Sequence, residues 1–254
     1  MTYSMHGKVA LVTGGGSGIG RSIALAFARE GVKTVVDDFN VELGNETVTL
    51  IKKEGGEASF ASGDVSKEAD VEAMVKFAVD HYSGIDFAVN NAGLASEGKL
   101  LHEISEASWD FQVAIDLKGV FLCMKHELAI MVKQGRGSIV NIASGAGLFG
   151  ARYMGPYVAS KHGVIGLTQT AAVDYAKMGI RVNAVCPGTV ATPALMKFKE
   201  IEPNLFASWE AMDPQGRLVR PDEIANTVLF LCSDGVDSIN GASITVDGGQ
   251  TAVA

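Results

Sequence analysis

The sequence predicts an α/β fold, a doubly wound parallel sheet of about seven strands with helices on both faces. Three observations predict it. Short apolar, β-leaning runs alternate with helix-spaced segments along nearly the whole chain. The runs are apolar on both faces, which suits strands sandwiched between helix layers and not a half-solvated sheet. A glycine-rich turn, "VTGGGSGIG" at residues 12–20, stands where the first run gives way to the first helical segment. With 254 residues, 47% of them hydrophobic, the chain can bury one large core. No low-complexity linker divides it, so residues 1–254 are expected to form a single domain.

The expected strands are Lys8–Thr13, Thr34–Asp38, Ala58–Ser62, Phe87–Asn90, Ser138–Ile142, Arg181–Val185 and Ser243–Val246. Gly31, Gly55, Gly84, Gly135 and Gly179 fall where the intervening helices should stop, because glycine takes the left-handed cap without a Cβ penalty. Residues 187–220 break the alternation. They carry Pro193, Pro203 and Pro214 and no strand pattern, and read as a substrate-loop insertion. Their bulky residues, Leu195, Met196, Phe198, Ile201, Leu205, Phe206, Trp209 and Met212, fit a satellite core equally well.

Composition excludes several classes. The formal net charge is -8, without a basic block, so the attraction to phosphate that drives nucleic-acid binding is missing. Cys123, Cys186 and Cys232 are odd in number and far apart, which suggests reduced, buried thiols and no disulfide framework. The chain reaches its first strand without a charged-then-apolar leader and has no apolar run long enough to span a bilayer. The expectation is a soluble cytoplasmic protein with neither membrane nor nucleic-acid partner. His6, His81, His102, His126 and His162 are scattered and lack HExxH spacing, so no metal site is expected.

The glycine turn carries the first chemistry. Glycines admit positive φ and let a ligand lie against the main chain, while a helix N-terminus offers unpaired N–H donors to phosphate. Gly14, Gly18 and Gly20 read TGxxxGxG, and Arg21 follows where a nucleotide-triphosphate loop would need its lysine. A dinucleotide fits better than ATP or GTP, and the sheet is Rossmann-like, with its ligand at the carboxyl ends of the strands. The second strand, "KTVVDDFN", ends in Asp37 and Asp38 about 20 residues beyond the turn. A carboxylate there accepts the adenosine ribose hydroxyls and repels a 2'-phosphate, so NAD(H) is expected with Asp38 on the ribose. Asp37 alternates to the opposite face. "GDVS" ends the third strand with Asp64 and Val65, and "VNNAG" ends the fourth with Asn90, Asn91, Ala92 and Gly93. Small residues there admit a flat ring and Asp64 offers an acceptor to an exocyclic amine; ordinary strand-end turns read the same way.

The reacting centre is expected in "GPYVASKHG", where Tyr157 and Lys161 are four apart on one helix face. A phenol, with a reference pKa of about 10, is a poor base at neutral pH. A neighbouring ammonium stabilises phenolate. "NIASGAG" supplies Ser144 just beyond a strand, where its hydroxyl can hold a carbonyl or hydroxyl oxygen. Alone, such a pair is usually surface decoration and such a serine a turn former.

Together, TGGGSGIG, NNAG, the serine after the fifth strand, YxxxK and "CPGTVATP" after the sixth resemble the short-chain dehydrogenase/reductase family over essentially the whole chain. The resemblance implies NAD held by Gly14, Ser17, Gly18, Ile19, Gly20 and Asp38, adenine near Asp64 and Val65, and Asn90 to Gly93 lining the cofactor. It implies Ser144 as stabiliser of the substrate oxygen, Tyr157 as general acid/base, and Lys161 as its partner, which also binds the nicotinamide ribose. Pro187, Gly188, Val190 and Thr192 are implied contacts of the nicotinamide side, and the implied assembly is a homotetramer. One position departs from the family pattern. "AIDLKGVF" has Asp116 where family members usually carry an asparagine that holds a water linking the lysine to solvent. The implied activity is interconversion of a secondary alcohol and its ketone. Leu94, Ala95, Gly145, Leu148, Met154 and the stretch Leu195 to Met212 are expected to wall a pocket for a hydrophobic or cyclic substrate, with Arg152 and Tyr153 near its polar groups. The alternatives are a catalytically weak NAD(H) sensor and a 3-oxoacyl-type reductase.

Overall fold

Seven strands form a single sheet: β1 (Val9–Val12), β2 (Lys33–Asp38), β3 (Ala58–Ser62), β4 (Phe87–Asn90), β5 (Gly137–Ile142), β6 (Ile180–Pro187) and β7 (Ser243–Val246). The computed structural model describes residues 5–96 and 98–253; the side chains of Leu205, Ser208, Trp209 and Met212 lie outside the described part. The spatial order is β3-β2-β1-β4-β5-β6-β7, and every pairing is parallel. Val12 pairs with both Val36 and Val89, so the carboxyl ends of β1, β2 and β4 finish level. Winding reverses between β1 and β4, which opens a crevice above their ends.

Nine helices lie among the described residues: α1 (Gly18–Arg29), α2 (Val41–Lys53), α3 (Glu68–Tyr82), α4 (Glu106–Val113), α5 (Val120–Gln134), α6 (Gly155–Tyr175), α7 (Pro193–Ile201), α8 (Pro203–Met212) and α9 (Pro221–Cys232). Strand side chains alternate between two cores. Leu11, Val35, Ala88 and Ile139 meet α3, α5 and α6 on one face. Val12, Val89, Val140 and Val185 meet Ile23 and Phe27 of α1 and Ile224 and Val228 of α9 on the other. Both faces being covered is what made the strand runs continuously apolar.

Two local expectations change. Gly31, Gly55, Gly135 and Gly179 take positive φ at helix ends, but after α3 the left-handed position is held by Ser83, φ 69°, and not by Gly84. Residues 187–220 are largely helical. Pro193 and Pro203 open α7 and α8, where a missing N–H costs nothing, and the Thr192 hydroxyl accepts the Leu195 N–H. Phe206 is completely buried, whereas Ile201 and Met196 are exposed. The stretch is thus part buried and part exposed. The side chains of Leu205, Trp209 and Met212, named above as wall or core, lie outside the described residues. Among the described residues no helix is long and apolar enough to cross a membrane.

A polar chain crosses the core behind the crevice. Glu127 of α5 accepts from Asn90 Nδ2 at 3.1 Å, and the same amide donates to Asn141 Oδ1 at 2.9 Å. Asn141 donates to Thr168 Oγ1 on α6, so the chain ties α5, β4, β5 and α6. Burial pushes the Glu127 carboxyl up to about 7. Its folded value exceeds its unfolded one, so the folded state holds the extra proton and loses stability as pH rises between the two. Glu127→Gln should keep the acceptor and remove that loss. At pH 8 the variant should unfold at a higher temperature than the wild type, by up to about 3 kcal/mol in stability, with the gap closing toward acid pH in calorimetry.

Candidate active site

The crevice is built from the end of β1 upward. Gly14 has φ 62°, and a Cβ there would stand 2.9 Å from Asn91 Nδ2 and 3.0 Å from Ala92 Cα. One turn into α1, a Cβ on Gly20 would fall 2.1 Å from Gly14 O. Both positions are glycine because the backbone folds onto itself and onto the end of β4. Thr13 Oγ1 accepts from the N–H groups of Asn91 and Ala92, and Asn91 Nδ2 donates back to the carbonyls of Thr13 and Gly14. The side chain of Ser17 does not cap α1, so its first N–H groups face the crevice. Asp38 braces the turn from β2, with Oδ2 accepting from Gly16 N at 2.8 Å and Oδ1 from Asn40 N at 2.7 Å. Arg21 is committed to Gly16 O and to Glu46.

Two cavities run along the carboxyl ends of the strands. One, of about 550 Å³, is lined by Gly14, Ser17, Gly18, Ile19, Asp38, Asp64, Val65, Ala92 and Gly93, with Asp37, Phe39, Gly63 and Ile115. The other, of about 640 Å³, is lined by Ser144, Tyr157, Lys161, Pro187, Gly188, Val190 and Thr192, with Leu94, Ala95, Ser96, Leu195 and Phe198. Ile19, Asn91, Gly93, Leu94 and Thr192 lie on both, so the two make one trough.

In the larger cavity, α6 presents Tyr157 and, one turn on, Lys161. Lys161 is 4% exposed, and its ammonium donates to Ile142 O at 3.0 Å and stands 5.6 Å from the centre of the Tyr157 ring. Ser144 follows β5 and accepts from Ala146 N, which leaves its O–H to donate into the cavity. Cys186 is no nucleophile, because burial pushes its thiol up to about 11.

Asp116 sits in a π-helical turn, Ala114–Gly119, between α4 and α5, a wide turn of the kind that carries functional groups inward. It is fully buried. Oδ1 accepts from Leu94 N at 2.8 Å and Oδ2 from Gln112 Nε2 at 2.5 Å, while Gln112 Nε2 also lies 3.3 Å from Leu94 O. Both carboxyl oxygens thus carry protein donors, and the pair clamps the backbone that separates the two cavities. Burial raises the Asp116 carboxyl above its ordinary value, and Lys161 pulls partly the other way.

Several expected positions fall elsewhere. Asn90 points into the core network and is 1% exposed, while its neighbour Asn91 lines both cavities. Gly20 packs under Gly14 and is not on the described cavity wall. Gly145, Leu148, Arg152, Tyr153 and Met154 are not among the described residues that line the larger cavity, and Leu148 and Tyr153 are exposed. Gln112 was missed, since a lone glutamine on a helix gives no signal before its partner is known.

Residues 14–251 match the model of a family described as enoyl-(acyl carrier protein) reductase. Cyclohexanol dehydrogenase of an Acinetobacter species is 41% identical over 99% of this chain and 98% of that protein. The 2,5-dichloro-2,5-cyclohexadiene-1,4-diol dehydrogenase of Sphingobium indicum is 40% identical over 98% of this chain and 99% of that protein. A solved structure of a single-residue variant of actinorhodin polyketide ketoreductase with NADPH superposes at a TM-score of 0.92 and 37% identity, covering 96% of this chain and 97% of that one.

The 2.1 Å approach at Gly20 gives a test of the turn. Gly20→Ala should lower stability by about 2 kcal/mol or more and weaken binding of reduced dinucleotide at least about tenfold, read by thermal unfolding and cofactor fluorescence.

Proposed function

The chain belongs to the short-chain dehydrogenase/reductase family, and on that premise we propose that it interconverts a hydrophobic or cyclic secondary alcohol and its ketone with NAD(H) as cofactor. One observation carries the reading: Ser144, Tyr157 and Lys161 share a wall of the cavity that continues into the glycine turn.

The trough fits a nicotinamide dinucleotide. The cradle at Gly14 is one that a Cβ would fill, and the uncapped first turn of α1 offers its N–H groups to a pyrophosphate. Bound there, the cofactor supplies the transfer of a hydride equivalent to or from the substrate carbon. The choice of NAD(H) rests on charge. Asp37, Asp38 and Asp64 line the smaller cavity, no lysine or arginine is among its described lining residues, and Arg21 is engaged elsewhere. A 2'-phosphate would meet carboxylates without a cation. The ketoreductase of the same fold was solved with NADPH, so the choice of NAD(H) for this chain rests on these side chains and not on the fold.

In oxidation, Tyr157 Oη removes the proton of the substrate hydroxyl, with the Lys161 ammonium standing beside the ring. Ser144 holds the substrate oxygen through its O–H. Leu94, Leu195 and Phe198 give the larger cavity apolar walls that keep water from the reacting carbon. Holding the partners in line is worth about 7 to 11 kcal/mol. Apolar walls and the likeness to cyclohexanol dehydrogenase support a cyclic substrate. Residues 187–220 act as the substrate loop of the single domain. The assembly is a homotetramer in the cytoplasm, in keeping with the family resemblance and the three free cysteines.

Cyclohexanol and other cyclic, aliphatic and sugar alcohols, together with a 3-oxoacyl thioester, should be assayed with NAD+ and NADP+. A cyclic alcohol should turn over with NAD+ at a kcat/KM at least about tenfold above that with NADP+. Cofactor binding with no turnover across the panel would leave a sensor in place of an enzyme. Tyr157→Phe should lower kcat about a hundredfold or more and leave the cofactor Kd unchanged. Asp116→Asn keeps the acceptor for Leu94 but sets amide against amide at Gln112. Its pH–rate profile should meet that of the wild type at acid pH, where Asp116 holds its proton, and depart by about fivefold at alkaline pH. Superposable profiles would remove any role for the Asp116 charge.

A further inference from the structure

Residues 187–220 leave the sheet at the end of β6 and close on themselves at a narrow neck. Val190 and Val219 form a parallel bridge there, with Val219 N donating to Thr189 O at 2.9 Å and Ala191 N to Val219 O at 2.8 Å. Before the neck, Pro187 and Gly188 line the larger cavity; beyond it, Leu195 and Phe198 of α7 wall the same cavity. Asp213 caps the end of α8. It is 3% exposed, its Oδ1 accepts from Gln215 N at 2.9 Å and its Oδ2 from Gln250 Nε2 at 3.2 Å.

Gln250 comes from outside the excursion, at the head of a 3-10 turn after β7 (Gln250–Ala252). Its amide reaches both ends of the excursion. Oε1 accepts from Thr189 N at 3.2 Å, and Nε2 donates to Thr189 Oγ1 at 3.2 Å as well as to Asp213. A carboxylate only accepts, so the amide turns its nitrogen to Asp213, and its oxygen falls to the Thr189 N–H. The fit is close. A Cβ at Gly188 would stand 2.7 Å from Gln250 Oε1, and one at Gly248, φ 64°, would stand 2.6 Å from Asp213 Oδ1. Asp247 fixes the turn itself, accepting from Gly249 N and from Thr251 N and Oγ1.

We propose that Gln250 is a positioning residue for the active site: it latches the start of the 187–220 excursion to the end of α8 and so fixes how closely α7 stands over the larger cavity. The inference rests on reading that cavity as the substrate site, and adds a residue distant from it in sequence. Gln250 is not among the described residues that line either cavity, so it acts through Thr189 and Asp213. The backbone bridge of Val190 and Val219 holds the neck but does not reach α8. Without the Gln250 amide, Asp213 is a buried carboxylate short of a donor, and it regains one by moving into water. α7 moves with α8, because Lys199 of α7 pairs with Glu210 and lies over the ring of Phe206.

Reversing the polarity of the pair tests this. Gln250→Glu sets carboxylate against carboxylate, and Asp213→Asn sets N–H against N–H at Gln215 or at Gln250. The double variant again has a donor facing an acceptor, with the total charge unchanged. Trypsin cuts at the exposed Lys197 and Lys199 when α7 opens, and KM for the cyclic alcohol reports the substrate wall. Each single variant should be cut about tenfold faster than the wild type and show KM raised about tenfold, with kcat lowered less than about threefold. The double variant should return both readouts to within about threefold of the wild type; melting temperatures establish that all three variants are folded. Single variants cut at the wild-type rate, or a double variant no better than the singles, would overturn the latch. Proteolysis in the expected order with an unmoved KM would make Gln250 a staple of the fold and overturn its positioning role. No turnover of any alcohol by the wild type, with proteolysis in the expected order, would overturn the substrate reading and leave the latch standing.

Discussion

The site depends on one tie between neighbouring strands. Thr13 closes β1 and Asn91 follows β4, and four hydrogen bonds join them: two N–H groups donate to the Thr13 hydroxyl, and the Asn91 amide donates to two carbonyls of the turn. These strands are where winding reverses, so their connections diverge and leave a gap. The tie closes the gap at its base. Gly14 and Gly20 then fold tightly enough for the α1 dipole to point into the trough, and Gly93 and Leu94 leave the sheet in a fixed direction, onto Asp116.

Charge is divided unevenly along this trough. At the end with the larger cavity the Lys161 ammonium is buried against Ile142 O and within the field of Asp116. A buried cation needs such company, because desolvation costs several kcal/mol per ion. Asp116 supplies part of it and also bonds Leu94, so the electrostatics around Lys161 and the shape of the cavity wall are joined in one side chain. At the other end Asp37, Asp38 and Asp64 face the cavity without a cation among the described lining residues.

Parity explains most of what sequence reading misplaced. Asn90 and Asn91 are adjacent and chemically identical, and only the phase of β4 decides that Asn90 joins Glu127 and Asn141 in the core while Asn91 turns to the trough. Asp37 and Asp38 divide in the same way on β2. Of the residues expected to wall the pocket, Leu94, Ala95, Leu195 and Phe198 line the larger cavity, whereas Leu148 is exposed, as is Tyr153, expected beside the polar groups of the substrate.

By itself the sequence determined the parallel sheet and the glycine turn after its first strand, and it singled out Ser144, Tyr157 and Lys161, which the structure brings to one cavity. Each of these is written in local chemistry: apolar runs, glycines that backbone approach demands, and a four-residue helical spacing. Tertiary structure alone decided the partners. That Gln112 meets Asp116, that Glu127 is buried under Asn90, and that Asp37 lies under Gly63 without a donor are contacts between segments distant along the chain. Burial and hydrogen bonding of a polar group depend on what packs over it, and no local pattern carries that information.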